Sequence, residues 1–376
     1  MRERELLPQI QAFAAEMAVE RNARQRRRAL DPADFERLEA LGFLRAAVPE
    51  PLGGSWRSVA ESTRPICEAL RTLAQGDSSL ALVAAMHPSV LTFWLASPEA
   101  PAPYRDAWEP QRREVFRSAA EGAWWGTITS EPGSGGDVSQ TRTRAEWDGT
   151  GYRITGSKHF GSGSGITSFV LTSALPDGEP EPDWFFLDVR GAEWDGTGGM
   201  TLLAEWDGHG MTATQSHAFR FEGYPAARFA WPGNLLGLQK AAGGAISCYF
   251  AAVVTGIAQV AMATAREQLR RRKESLRSFE QAEWVRAETE SWLIDRAYDG
   301  MLREVEASPG TPVGTRLGKL AIAELSEVLL TRLCRILGGG SYSRHSPFGY
   351  WQQDVRALGF LRPPWALAFD AAFQGL

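Results

Sequence analysis

The order of patterns along this 376-residue chain predicts an α+β protein in three parts: helices, then short strands, then helices again. Three observations carry that reading. Residues 1 to 122 place apolar side chains at helical spacing. Residues 123 to 234 change to brief apolar runs cut by Gly, Asp and Pro turns. From residue 235 onward, long uninterrupted helical stretches return.

The first part opens with charged and apolar residues alternating at helical spacing over Met1–Met17, with no signal-peptide core. Asp31-Pro32 is a helix start, a capping carboxylate followed by a proline suited to the first turn. Phe35, Leu38, Leu41 and Phe43 then form an apolar stripe that ends at Pro49-Glu50-Pro51-Leu52-Gly53-Gly54. In the middle part, strands are expected at Tyr152–Phe160, Ser168–Ala174, Trp184–Val189 and His217–Phe221, with Asp148-Gly149 as a hairpin turn. In the last part, helices are expected over Ala245–Lys273, Phe279–Ala307 and Arg316–Leu337. No residue between Lys240 and Arg266 is charged. Ala, Gly, Ser247, Thr255 and Gln259 dilute its apolar character, so this stretch reads as the buried central helix of a bundle rather than a membrane span.

Composition narrows the function classes. The chain is 44% hydrophobic and 23% charged, with a net charge of −5, and nothing in that balance favours nucleic acid. The basic run Arg21–Arg28 reads as the solvated face of a helix. Cys67, Cys248 and Cys334 are odd in number and match no metal spacing, which fits a reduced cytoplasmic interior. No Ser-His-Asp, metal or P-loop arrangement is present.

The most informative segment is Thr127–Ser162. A Ser-Glu-Pro-Gly-Ser-Gly-Gly-Asp loop leads into the hairpin and then into Gly-Ser-Lys-His-Phe-Gly-Ser. Gly133, Gly135 and Gly136 would let backbone approach a bound group closely. In this order the pieces resemble the flavin-binding β-domain of the acyl-CoA dehydrogenase superfamily. Leu38–Gly54 resembles the family's first domain, Glu205–Phe221 with its Gly-Met-x-x-Thr element resembles the close of its β-domain, and Cys334–Arg356 resembles its Gly-Gly-x-x-Tyr turn and the following helix end.

The resemblance implies an N-terminal helical domain (1–122), a β-barrel-like domain (123–234) and a C-terminal four-helix bundle (235–376). It also implies FAD, with FMN as an alternative. Ser130 would meet the pyrimidine edge of the ring and the backbone of Gly133–Gly136 the phosphates. Phe160 would cover the ring, and Ser162 would stand near its reactive nitrogen. Arg272, Gly338 and Gly339 would reach a neighbour's cofactor in a homodimer or homotetramer; the alternative for Arg272 is that Arg270–Lys273 is a basic helix end complementing the helix dipole. Three departures bear on this: Gly136 replaces a usual Ser, Ser275 and Leu276 replace an aromatic-Gly pair, and Arg335 replaces a Gln.

The largest departure concerns the base. Family dehydrogenases remove an α-proton with a Glu carboxylate at one of two places. Here Arg362 and Ile246 fall at those places, and an arginine does not accept a proton. His87 reads either as a titratable group beside the substrate or as a hydrogen-bonded structural histidine, while His159 and Glu131 read as structural. The expectation is a flavin-dependent oxidoreductase acting on an acyl thioester, a carrier-bound acyl group or a related small molecule. Two alternatives stand beside it: a monooxygenase on the same fold fed with reduced flavin, and a non-catalytic subunit paired with an intact homologue.

Overall fold

The structure, a computed structural model, describes residues 3–308 and 310–374. The first part holds α1 (Glu3–Val19), α2 (Arg21–Arg24), α3 (Pro32–Ala40), α4 (Val59–Gly76), α5 (Ser78–Leu95) and α6 (Ala102–Ala120). Their starts follow from capping chemistry. The Asp31 carboxylate accepts from the Ala33 N–H at 3.1 Å, with Pro32 in the first turn of α3. Ser58 and Asp77 cap α4 and α5 in the same way. The basic run departs from its expected solvated role. Arg24 is buried and pairs with Asp34 and Asp77, while Arg21 lies over the Trp351 ring and donates to the Gln75 carbonyl at 2.8 Å. These cations tie the amino-terminal helices to the rest of the molecule.

The middle part contains β1 (Trp125–Thr127), β2 (Arg144–Trp147), β3 (Tyr152–Gly161), β4 (Phe169–Pro176), β5 (Asp183–Asp188), β6 (Met200–Ala204) and β7 (His217–Arg228). Pairing runs β4–β2–β3–β7–β5 and returns from β5 to β4, so the sheet closes on itself. β1 flanks β4, and β6 flanks β7. Closure leaves an interior filled by Ile128, Ala145, Ile154, Val170, Phe185, Leu187, Phe219 and Phe221. The β2–β3 hairpin turns where Asp148-Gly149 predicts it. The Asp148 carboxylate accepts the N–H groups of Thr150 and Gly151, and Gly149 takes φ 97°. β1, β2 and β6 are only three to five residues long, too short for alternation to show in the sequence.

The last part begins with α7 (Leu235–Arg270), followed by α8 (Ser278–Ala307), α9 (Val313–Leu337) and the short α10 (Phe348–Asp354), α11 (Ala357–Phe360) and α12 (Trp365–Phe373). α4, α5, α8 and α9 pack around α7. From Gly244 to Ala258, every α7 residue except Ile246 is buried. Gly256 permits the contact with α4, since a Cβ there would stand 2.2 Å from the Arg71 carbonyl oxygen. α5 and α7 are both long and apolar enough to cross a bilayer, but 100% and 83% of their most apolar windows lie inside the protein. The uncharged stretch after Lys240 is thus the bundle's core. All three cysteines are free thiols.

Candidate active site

A cavity of about 1000 Å³ opens between the barrel and the C-terminal helices. That is the upper end of the range for small-molecule sites. The barrel contributes Thr127, Thr129, Ser130, Glu131, Gly135, Gly136, Phe160, Ser162 and Ser216. α5 contributes Leu82, Met86, Ser89 and Phe93 at helical spacing, and α7 contributes Lys240, Gly243, Ile246, Ser247 and Phe250. Of the expected site residues, Ser130, Gly135, Gly136, Phe160 and Ser162 therefore converge on one space.

The loop end of the cavity is shaped by glycine. Gly135 and Gly136 take φ 60° and 85°, and a Cβ on Gly135 would meet nothing within 4 Å. At Gly136 a Cβ would stand 2.8 Å from Pro364, so the departure from Ser is matched by a proline packed into the space. Gly133 is not among the residues lining the cavity; a Cβ there would stand 3.7 Å from the Arg142 guanidinium. The loop is anchored from beneath. The Glu131 carboxylate lies 2.6 Å from the Lys158 ammonium, with side chains 5% and 0% exposed. It also accepts from Arg142 N–H, Thr143 N–H and Thr143 Oγ1. Burial alone would raise its pKa, yet Lys158 and these donors hold it down to about 2. Burial pulls Lys158 down to about 8 against the attraction of Glu131, so both are charged at neutral pH. Glu131 is structural, as its position in the loop suggests.

Phe160 interrupts β3. It sits at φ 62°, a left-handed conformation that costs a non-glycine residue about 1–3 kcal/mol. The β3–β7 register shifts between Lys158 and Gly161 at the same place. The result is a phenyl ring 56% exposed to the cavity, with the Trp206 indole edge-on at 6.0 Å. Beyond it, hydroxyls form a chain. Thr214 donates to the Met211 carbonyl at 2.9 Å, and Ser216 lies 2.8 Å from both Thr214 and Ser162. Thr214 has one proton and has spent it, so Ser216 donates to Thr214 and Ser162 donates to Ser216. Ser162 thus turns lone pairs, not its proton, toward the cavity.

Other expected residues lie elsewhere. His87 is adjacent to Met86 but lies 100° further round α5 and points away from the cavity. It is fully buried; its Nδ1 accepts from the Trp125 N–H at 3.2 Å, which leaves Nε2–H to donate to the Leu44 carbonyl at 3.2 Å. Burial pushes its pKa down to about 4, against the Leu44 hydrogen bond. It is a neutral structural histidine tying α5 to the barrel. Arg272 pairs with Glu280 and donates to the Ile336 carbonyl at 2.8 Å. With Gly338 and Gly339 it occupies the far end of the bundle, outside the cavity. From Ile246 to Arg270, α7 rises about 36 Å at 1.5 Å per residue.

Ile246 and Arg362, at the two places where the resemblance puts a dehydrogenase base, both face the cavity. Among the described residues, Glu131 is the one carboxylate on its wall. The sequence reading missed Trp206, His209, Arg316 and Lys319, all lining residues. Arg316 and Lys319 carried one signal, a three-residue spacing near the start of α9. No His/Cys/Asp/Glu cluster able to hold a metal occurs among the described residues.

A barrel between two helical parts, with a deep cavity at their junction, defines an acyl-CoA dehydrogenase fold. Butyryl-CoA dehydrogenase from Megasphaera elsdenii superposes with a TM-score of 0.79 at 20% identity, over 99% of this chain and 97% of that one. FMN-bound TdsC from Paenibacillus sp. A11-2 also gives 0.79 at 20% identity, over 98% and 96%. In sequence, amino sugar nitrososynthase DnmZ of Streptomyces peucetius is 27% identical over 96% of this chain and 89% of its own length. Dibenzothiophene monooxygenase of Mycolicibacterium goodii is 28% identical over 62% of this chain, a match that spans 55% of that enzyme. No protein-family model matches the chain. The fold is that of the acyl-CoA dehydrogenase superfamily, and the sequence resembles members of it along most of its length.

Proposed function

We propose that the protein is a flavin-dependent monooxygenase that oxygenates a small organic molecule, using flavin reduced elsewhere. One observation carries this reading: the cavity has a flavin-sized space and ring-covering aromatics, yet no free carboxylate at either place a dehydrogenase needs one. Oxygenation requires no α-proton base, so Ile246 and Arg362 are no obstacle to it. The relatives named above as a nitrososynthase and a monooxygenase point the same way, toward a nucleophilic nitrogen or sulfur as the atom oxidised. The expected action on an acyl thioester is the less supported branch.

The residues present fit a flavin. The open space at Gly135 admits a group close to backbone N–H donors. Phe160, held in a strained conformation, supplies a flat apolar cover, and Ser130 and Ser162 offer polar contacts at the ring edge. A bound reduced flavin would supply two electrons to dioxygen, delivering one oxygen atom to substrate and one to water. The chain's part is to hold and cover the ring and to keep water out with Leu82, Met86, Phe93 and Phe250. Ser162, its proton committed to Ser216, would accept a hydrogen bond from a ring N–H.

FMN is the form we favour over FAD. The adenosine half would depend on Arg272, Gly338 and Gly339 of a second copy, where Ser275, Leu276 and Arg335 depart from the family pattern. A second copy is nonetheless part of the proposal. Val285 and Trp292 on α8 and Leu317 and Val328 on α9 are exposed apolar side chains that self-association would cover.

The test is direct. Purified protein should bind FMN with quenching of its fluorescence. Anaerobic butyryl-CoA should leave the bound flavin oxidised. With NADH, a flavin reductase and oxygen, an amino sugar nucleotide or an aryl sulfide should be oxygenated. Rapid anaerobic bleaching by a saturated acyl-CoA would overturn the proposal.

A further inference from the structure

The cavity wall is charged on one side only. Lys240, Arg316, Lys319, Arg356 and Arg362 line it, against the single carboxylate of Glu131, which Lys158 already neutralises. Two of these cations have their needs met locally. The Lys319 ammonium donates to the Leu361 carbonyl at 2.7 Å and also to Pro363, and Arg356 donates to Gln353. Arg316 and Arg362 differ. Among the described residues, neither forms a hydrogen bond or ion pair through its guanidinium. Nε of Arg316 and Nη2 of Arg362 are shielded from solvent with no partner at all.

Lys319 links the two segments that carry them. Arg316 is one helical turn before Lys319 on α9, and the Lys319 ammonium is clamped by the carbonyls on either side of Arg362. The nearby carboxylate of Asp137 raises the Arg362 pKa, but burial outweighs it and pulls the group down to about 10. No ion pair joins the two among the described residues, and one Asp137 oxygen accepts the Ser139 N–H and hydroxyl. Folding therefore leaves two unpaired guanidinium groups, each with a nitrogen shielded from solvent, on the wall of one open space. Such an arrangement is costly unless something negative completes it.

We propose that Arg316 and Arg362 form an oxyanion site, which holds a phosphate or carboxylate group of an organic molecule bound in the cavity. The fork of each guanidinium suits two-point contact with either group. Pro364, two residues from Arg362, packs on Gly136, so the anion sits beside the glycine loop and within reach of the reacting space. The assignment deepens the oxygenase reading by making the ligand an anion, and it rests on that reading only in placing the site in a catalytic cavity. It also gives the residue at the lost base position a use: binding charge in place of removing a proton.

The experiment uses Arg316→Gln and Arg362→Gln in the full chain, with inorganic pyrophosphate, FMN and riboflavin as probes. Neither change should lower the thermal midpoint of the ligand-free protein, since neither guanidinium has a partner to lose. Pyrophosphate affinity should fall roughly 10- to 100-fold in each variant, the loss expected for a charge-assisted hydrogen bond. If that fall is seen with saturating FMN present and FMN affinity is unchanged, the anion belongs to substrate. If FMN affinity falls instead, with riboflavin unaffected, the anion is the flavin's own phosphate. Unchanged pyrophosphate binding and an unchanged preference for FMN over riboflavin in both variants would overturn the site. A protein that binds pyrophosphate through these arginines but no flavin would keep the site and remove the oxygenase reading.

Discussion

Replacing Lys158 with Met is the most incisive perturbation of the loop that shapes the cavity. The Lys158 ammonium stands 2.6 Å from Glu131, 2.9 Å from Thr141 Oγ1 and 2.7 Å from the Ser173 carbonyl, all out of solvent. At an effective dielectric near 20, the pair attraction alone is about 6 kcal/mol, much of it offset by desolvation. Removing one partner strands the other charge, so Lys158→Met and Glu131→Gln should each destabilise the barrel by about 3–5 kcal/mol. The double variant should cost at least ~2 kcal/mol less than the sum, because no charge is then left unpaired. Urea unfolding followed by tryptophan fluorescence reads these values. The folded Glu131 pKa of about 2 lies below the unfolded 4.5, so its contribution is present above about pH 4.5 and is lost as pH falls toward 2. FMN affinity should fall with stability, since the loop carrying Ser130 and Gly135 is held by this pair. Additivity of the two single changes within about 0.5 kcal/mol would refute the reasoning.

Three further outcomes are expected. His87→Asn should leave flavin binding and turnover intact. Because burial holds the folded His87 near pKa 4 against 6.5 when unfolded, the parent should lose about 3 kcal/mol relative to this variant as pH falls from 6.5 to 4. Asp354, raised to about 6 by burial, has the opposite slope and is common to both proteins, so it cancels in the comparison. Arg362→Glu should introduce slow anaerobic flavin bleaching by butyryl-CoA where the parent shows none, well short of a dehydrogenase whose base contributes about 10²–10⁴-fold. Light scattering at micromolar concentration should show at least a dimer, and Trp292→Asp, at an exposed position on α8, should reduce its mass; a monomeric parent would remove the proposed assembly.

The fold was legible because its signals are local. Asp31-Pro32 and Asp148-Gly149 write their own hydrogen bonds, and the uncharged run after Lys240 has few places to go other than the centre of a bundle. Sites are harder because they depend on direction. His87 and Met86 are neighbours in sequence, yet a 100° step on α5 puts one in the cavity wall and the other against Trp125 and Leu44. A strand rule would alternate the faces of His159 and Phe160, but the aim of Phe160 comes from a φ of 62° that no alternation rule supplies. The charge of the cavity was invisible for a different reason: Arg316 and Arg362 are 46 residues apart in number and share a cavity wall because Lys319 clamps the segment around Arg362 onto α9.

That last contact changes what the missing carboxylate means. If Arg362 had pointed to solvent, its identity would report only that a base was lost. Arg362 instead lines the cavity, as does a second unpaired arginine, Arg316, and Ile246, at the other position the resemblance gives a base, faces the same space. An apolar residue and a cation together disfavour proton abstraction twice over, by removing the acceptor and by placing positive charge where an imidazole or carboxylate would have to gain a proton. The same cation favours a negative ligand. On the proposed reading the flavin, not a side chain, acts on the substrate, and the protein's charges hold it there.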